Sequence, residues 1–85
     1  MKWDKADAIC NHMGMSLPTR NDFMDANRAG LTKTWSNKTM FHWTSEVAIW
    51  NYYNSAGTGH YLFAPYRGSS EAHPDSIDAQ VRCIH

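Results

Sequence analysis

The side chains that could do chemistry in this chain are five histidines, two cysteines and eight carboxylates, and their spacing decides whether they do. Zinc ligands come as close pairs, because tetrahedral coordination needs donors converging from one turn or one helix face. His12, His42, His60, His73 and His85 stand far apart, none has a histidine four residues on, and the cysteines form no close pair. They read as surface or strand histidines; His42 and His60 would meet only if paired strands placed them in register. Nucleophilic catalysis fares no better. The serines fall in turn-like stretches, and no Gly-x-Ser-x-Gly elbow is present. Gly57-Thr58-Gly59 lacks the third glycine and the following helix of a phosphate-binding loop. The expectation is a chain that binds without catalysing: no catalytic residue, no metal and no cofactor.

Recognition chemistry is better represented. Trp50-Asn51-Tyr52-Tyr53-Asn54 is the most suggestive segment. Side chains alternate along a strand, so at least one of Tyr52 and Tyr53 is expected to face solvent. Exposed Tyr and Trp beside Asn are the groups that anchor interfaces or stack on sugar rings. Tyr66-Arg67, after Pro65, is a second candidate of the same kind. Trp50, Asn51, Tyr52, Tyr53, Tyr66 and Arg67 are therefore the candidate ligand-binding residues, on a contact surface formed by residues 50–59 and 65–76. The competing reading packs both tyrosines beneath a loop. Trp3, Trp35 and Trp43 are assigned to the core.

Composition sets the frame for these residues. The chain has 85 residues, which make one domain whose core alone is marginal. Aromatic residues at 13% supply large buried area, and the formal net charge is zero. A neutral chain with scattered Lys and Arg is a poor partner for nucleic acid or an anionic membrane. No stretch approaches the roughly 20 apolar residues of a membrane span. Met1-Lys2-Trp3-Asp4 lacks a signal-peptide core, so the chain reads as a domain excised from a longer protein.

The elements that must position the candidates follow from periodicity. Ala6, Ile9, Cys10 and Met13 make an amphipathic stripe that predicts a helix from Trp3 to Met13, with Asp4 at its start and Gly14 at its end. Met15-Ser16-Leu17-Pro18 is an extended connector, since the residue before proline is pushed out of the helical region. Thr19-Arg20-Asn21-Asp22 approximates a capping box and opens a second helix, with Phe23 and Ala26 inward and Gly30 as its stop. Beyond Leu31, β-branched and aromatic residues predict short strands. Residues 41–46 form one, 47–53 extend or pair with it, 60–65 return, and 79–84 supply the last. Residues 54–59 are expected to be a turn and 67–76 a loop. The fold class is α+β. Cys10 faces inward from the first helix. A Cys10–Cys83 bridge would close a loop of about 70 residues and contribute on the order of 4 kcal/mol; two separate buried thiols are the alternative.

Ala6 to Cys10, Gly14-Met15-Ser16-Leu17-Pro18-Thr19-Arg20, Trp43-Thr44-Ser45-Glu46 and Val81-Arg82-Cys83 together resemble bacterial C-type-lectin-like domains, nearest the terminal domain of intimin and invasin type outer-membrane adhesins. A looser likeness to the formylglycine-generating enzymes ends at the Leu-Pro-Thr segment. The resemblance implies two helices followed by antiparallel strands, and a disulfide pairing Cys10 with Cys83. It also implies a terminal module at the extracellular face of the bacterial outer membrane, following immunoglobulin-like domains and binding a host-cell protein or glycan. The calcium-dependent sugar motif is not matched: His73-Pro74-Asp75 and Trp50-Asn51-Tyr52 stand in the wrong order, and Tyr52 replaces a ligating carboxylate. Glu71, Asp75 and Asp78 are too few for an ion that takes six to eight oxygens. The expected activity is calcium-independent adhesion; a structural domain that self-associates or stabilises a neighbour is the alternative.

Overall fold

The computed structural model describes residues 1–52 and 54–85. Its first helix, α1 (Trp3–His12), buries Ala6 and Cys10. The apolar stripe is realised only in part, for Ile9 is half-buried and Met13 is exposed. Lys2 precedes α1 without a side-chain cap, and Asp4 lies in the first turn, where its charge complements the helix dipole. Gly14 turns the chain at φ +72°, a left-handed conformation that favours glycine. The second helix, α2 (Arg20–Arg28), opens with a complete capping box. Thr19 Oγ1 accepts the Asp22 amide at 3.1 Å, and the Asp22 carboxylate accepts the Thr19 amide at 2.9 Å. Two otherwise unmatched amides are satisfied, so the shorter Asp serves where Glu is usual. Phe23 is the buried residue of α2. Gly30, at φ +78°, ends the helical run and leads into a 3₁₀ turn at Leu31–Thr34.

Strands β1 (His42–Tyr52), β2 (Ser55–Ala64) and β3 (Ser69–His73) form an antiparallel sheet in the order β1-β2-β3. Register and side-chain alternation explain how two helices share it. Trp43 pairs with Leu62, and both join Ala6, Cys10, Leu17 and Ala79 in the core beside α1. Their neighbours His42 and Phe63 also pair, and they point the other way, towards α2. There Phe23 stacks on Phe63 at 5.1 Å between centroids, with His42 at 5.9 Å and Trp35 edge-on at 6.2 Å. The sheet is thus covered on one side by α1 and on the other by α2. The architecture is α+β with one disulfide.

Of the two readings for 47–53, extension is the one realised: β1 runs unbroken to Tyr52, with an irregularity between Trp43 and Val47. Other expectations need correction. Most of the expected turn at 54–59 belongs to β2, which begins at Ser55. The expected loop at 67–76 contains β3, a polar edge strand. Residues 79–84, in turn, make no strand. They bridge the fold at two points, Gln80 beside His42 and Ile84 beside Ser16. Trp43 is fully buried, whereas Trp3 and Trp35 are only half-buried. Each of those two rings stacks on a polar neighbour: Trp3 on His60 at 3.6 Å, and Trp35 beneath the Arg82 guanidinium at 3.7 Å. His42 and His60 do not face each other, because His42 pairs with Phe63 and His60 with Val47.

Cys10 and Cys83 are joined across a separation of 73 residues, tying α1 to the C-terminal segment. In the chain-entropy model such a crosslink contributes about 4 kcal/mol. Reduction, or Cys83→Ser, is expected to lower Tm by at least about 15 °C, since 1 kcal/mol shifts a domain of this size by roughly 4–8 °C. A shift below about 5 °C in a thermal melt would show that the segment holds without the bridge.

Buried His42 generates a second expectation. Desolvation lowers its pKa below the ordinary histidine value; the bond to the Met40 carbonyl at 2.9 Å opposes this, and nearby Arg82 reinforces it. The unfolded chain therefore takes up the proton first. Stability is full above the ordinary histidine pKa of about 6.5 and is lost as pH falls below it. Melts from pH 7.5 to pH 5 should show wild-type Tm falling more steeply than that of His42→Phe, and parallel profiles would refute the assignment.

Candidate functional site

Two of the predicted segments lie far apart in sequence, and the structure brings them together through β3. Trp50 and Tyr52 project from the distal part of β1, with ring centroids 6.0 Å apart and planes inclined by 20°. By register Tyr52 sits at the hairpin tip opposite Ser55, while His73 pairs with His60, five residues further along β2. A flat hairpin would hold these two side chains far apart, at about 3.3 Å per residue. They touch nonetheless. The Tyr52 hydroxyl donates to the Ala72 carbonyl and lies 3.2 Å from His73 Nδ1, with the rings 5.6 Å apart. The hairpin must therefore curl back over the end of β3.

Gly57 and Gly59 explain how the curl is possible. A Cβ on Gly59 would sit 2.0 Å from the His73 carbonyl oxygen, and one on Gly57 would sit 2.7 Å from the Trp50 ring. Glycine is required at both positions for close approach of backbone and ring, a use distinct from turn flexibility.

From His73 the strip continues across the surface. Glu71 lies 3.1 Å from His73 Nε2 and accepts from Arg67 at 2.9 Å. The Arg67 guanidinium lies 5.5 Å from the Phe41 ring and 5.6 Å from the Tyr66 ring. Phe41 closes the row at 5.8 Å from His73. Trp50, Tyr52, His73, Glu71, Arg67 and Tyr66 thus form one continuous aromatic and polar strip. Tyr52 and Tyr66 are exposed, at 41% and 55%. Asn51 is exposed on β1 opposite Ala56, and Tyr53 lies outside the described residues. Glu71 and His73 fall within the expected contact segment 65–76 but were not singled out as binding residues, and Phe41 lies outside both segments. The i, i+2 spacing of Glu71 and His73, which puts both side chains on one side of a strand, was the available signal once a strand was recognised there.

The electrostatics of the strip are self-consistent. The hydrogen bond from His73, and then that from Arg67, hold the Glu71 carboxyl below its ordinary pKa, so it stays ionised. Burial, and then the Glu71 charge, raise the Tyr52 phenol above its ordinary value, so Tyr52 remains a donor. Trp50 Nε1 is buried and has no hydrogen-bond partner among the described residues. The strip therefore offers aromatic faces beside the part-exposed Arg67 guanidinium and a fixed carboxylate, a combination suited to holding a polar ligand with flat apolar faces. The acidic residues expected to group in one loop have separate partners: Glu71 binds Arg67 and His73, Asp75 binds His60 at 2.7 Å, and Asp78 is largely exposed. Among the described residues, no three His, Cys, Asp or Glu side chains converge in a way that would hold a metal ion.

No known protein family matches the chain, and neither does any curated protein or solved structure.

Gly59→Ala is expected to destabilise by about 1–3 kcal/mol, the usual cost of overpacking, because a backbone carbonyl stands where the methyl would go. It should also separate the Tyr52 and His73 rings, abolishing the cross-peaks between them in a proton NOE spectrum. A variant with unchanged urea midpoint and intact cross-peaks would show that the curl does not depend on this contact.

Proposed function

We propose that this protein is a C-type-lectin-like recognition module of the intimin and invasin kind. In this reading it is displayed at the bacterial cell surface after immunoglobulin-like domains, and it binds a host-cell protein or glycan without calcium and without catalysis. Support for the fold comes from the order of elements, two helices before an antiparallel sheet, and from a bridge linking the first helix to the C-terminal segment. A crosslink of this kind suits an oxidising compartment. The observation that carries the functional reading is the strip itself. The two segments singled out for their aromatic chemistry meet through Tyr52, His73, Glu71 and Arg67 on a rigid sheet. Rigid scaffolds that present aromatic anchors bind with little loss of side-chain entropy.

A second reading, self-association, rests on a different observation. Val47 and Ile49 are 64% and 77% exposed on β1, which is an edge strand, and the stretch from Val47 to Tyr66 contains no Asp, Glu, Lys or Arg. Uncharged apolar edges are templates for strand pairing with another chain.

One set of variants separates the two. Binding of the purified domain to cultured host cells and to a glycan array should fall at least tenfold in Tyr52→Ala, as truncating a central tyrosine costs about 2 kcal/mol or more at an interface. Its Tm should stay within a few degrees of wild type, and Ile49→Thr should bind normally. A wild-type domain that binds neither cells nor glycans, and that sediments as a dimer made monomeric by Ile49→Thr, would replace recognition with self-association.

A further inference from the structure

A cleft of about 330 Å³ lies between α2 and the C-terminal segment, away from the aromatic strip. Its walls are Pro18, Phe23, Ala26, Trp35 and Ile84, and Arg82 closes one side. Ligand pockets commonly have volumes of roughly 300–1,000 Å³, so this one is at the small end.

Arg82 is the unusual feature. Its guanidinium is stacked on Trp35 and donates to Asn37 Oδ1 over a long 3.4 Å. Arg20 and Arg67 each hold a glutamate at 3.1 and 2.9 Å, and Arg28 lies 3.6 Å from Asp25. Arg82 alone forms no ion pair among the described residues. Its Nε is buried without a hydrogen-bond partner, and burial draws its pKa below the ordinary value. A buried guanidinium N–H left without an acceptor is costly, and buried polar groups are usually paired. Asp22 also lines the cleft, but its carboxylate is engaged at the helix cap with the Thr19 amide at 2.9 Å. The cleft therefore presents an aromatic and aliphatic floor with one unpaired planar cation, whose fork of donors matches a carboxylate.

We propose that this cleft binds a small organic carboxylate with an apolar body, the carboxylate held by Arg82 and the body lying against Phe23, Ala26 and Trp35. The acid could be free, or it could be the C-terminus of a peptide ending in an apolar residue. The two sources share the same chemistry at Arg82. The site shares no residue with the aromatic strip, so it stands or falls independently of the recognition reading.

The test is a titration followed by ¹⁵N NMR, reading the Nε–Hε resonance of Arg82 and the indole N–H of Trp35. Phenylacetate should shift both saturably, with a Kd at or below about 1 mM, corresponding to roughly −4 kcal/mol. Phenylacetamide, the same body without the charge, should bind at least tenfold more weakly. Arg82→Lys should lose tenfold or more of the affinity, since ammonium cannot form the bidentate pair. Ala26→Leu keeps Arg82 and a good helix former but fills the floor, and it should abolish the shifts while retaining the wild-type melt. Ala26→Leu therefore decides the question even if Arg82→Lys fails to fold. A tripeptide ending in a free phenylalanine carboxylate separates the sources. Tighter binding than phenylacetate identifies a peptide terminus, and equal or weaker binding identifies a free acid. No saturable shift up to 10 mM phenylacetate, equal affinity for the amide, or undiminished binding by Ala26→Leu would each overturn the proposal.

Discussion

The C-terminal segment cannot hold itself in place by secondary structure, and the Cys10–Cys83 bond is the constraint on which the rest depends. Among the described residues, 79–85 touch the fold by backbone pairing at three separate places: Ala79 with Met1, Gln80 beside His42 and Ile84 with Ser16. Such isolated bridges give little cooperative stabilisation to set against the entropy of ordering seven residues, at about 1–2 kcal/mol each. The disulfide changes the balance, because the segment is already near α1 before its hydrogen bonds form. Ile84 can then exchange both backbone bonds with Ser16 at 2.7 Å, and Gln80 can bond Phe41 and Trp43. Arg82 reaches Trp35 from the same segment. The core beside α1 and the cleft beside α2 both follow from that one tether.

The aromatic strip has a different physical origin. It depends on the curl of the β1–β2 hairpin, and the curl depends on two glycines that leave room for the His73 carbonyl and the Trp50 ring. The polar contacts along the strip do not supply the driving force. Arg67 and Glu71 are each about two-fifths exposed, and an ion pair of that kind contributes no more than about 1 kcal/mol. Their effect is orientation: Glu71 joins Arg67 to His73, and His73 lies beside the Tyr52 hydroxyl that donates to Ala72. Burial of Trp43, Leu62, Phe63 and Phe23 supplies the stability, and the strip is mounted on the far end of the strands that carry this burial.

How much of this was legible in the sequence depended on how local the signal was. Gly14, Gly30 and the Thr19–Asp22 capping box mark helix ends through contacts within a few residues, and all lie where the pattern put them. β3 was hidden because Ser69-Ser70-Glu71-Ala72-His73 is polar, lacks alternation and is preceded by Gly68, as befits an edge strand. The run 79–84 carried the opposite deception. Its Val81, Cys83 and Ile84 suggest a strand, yet among the described residues the segment makes only isolated bridges, Gln80 with His42 and Ile84 with Ser16 of the connector. Gly57 and Gly59 looked like turn residues, since a glycine needed for close approach to a distant carbonyl has the same local signature as one needed for a bend. The aromatic candidates Trp50, Tyr52, Tyr66 and Arg67 were legible by type. Their connection through Glu71 and His73 was not, because it is made by strand pairing across sequence.

The central claim is that segments 50–52 and 66–73 form one surface, and side-chain NOE spectroscopy on the native domain tests it most directly. Cross-peaks from the Tyr52 ring to His73, and from His73 to Phe41, are the result this account requires, given ring centroids 5.6 and 5.8 Å apart. A Tyr52 ring with no contact to β3, in a domain whose Phe23–Phe63 cross-peaks are intact, would contradict it.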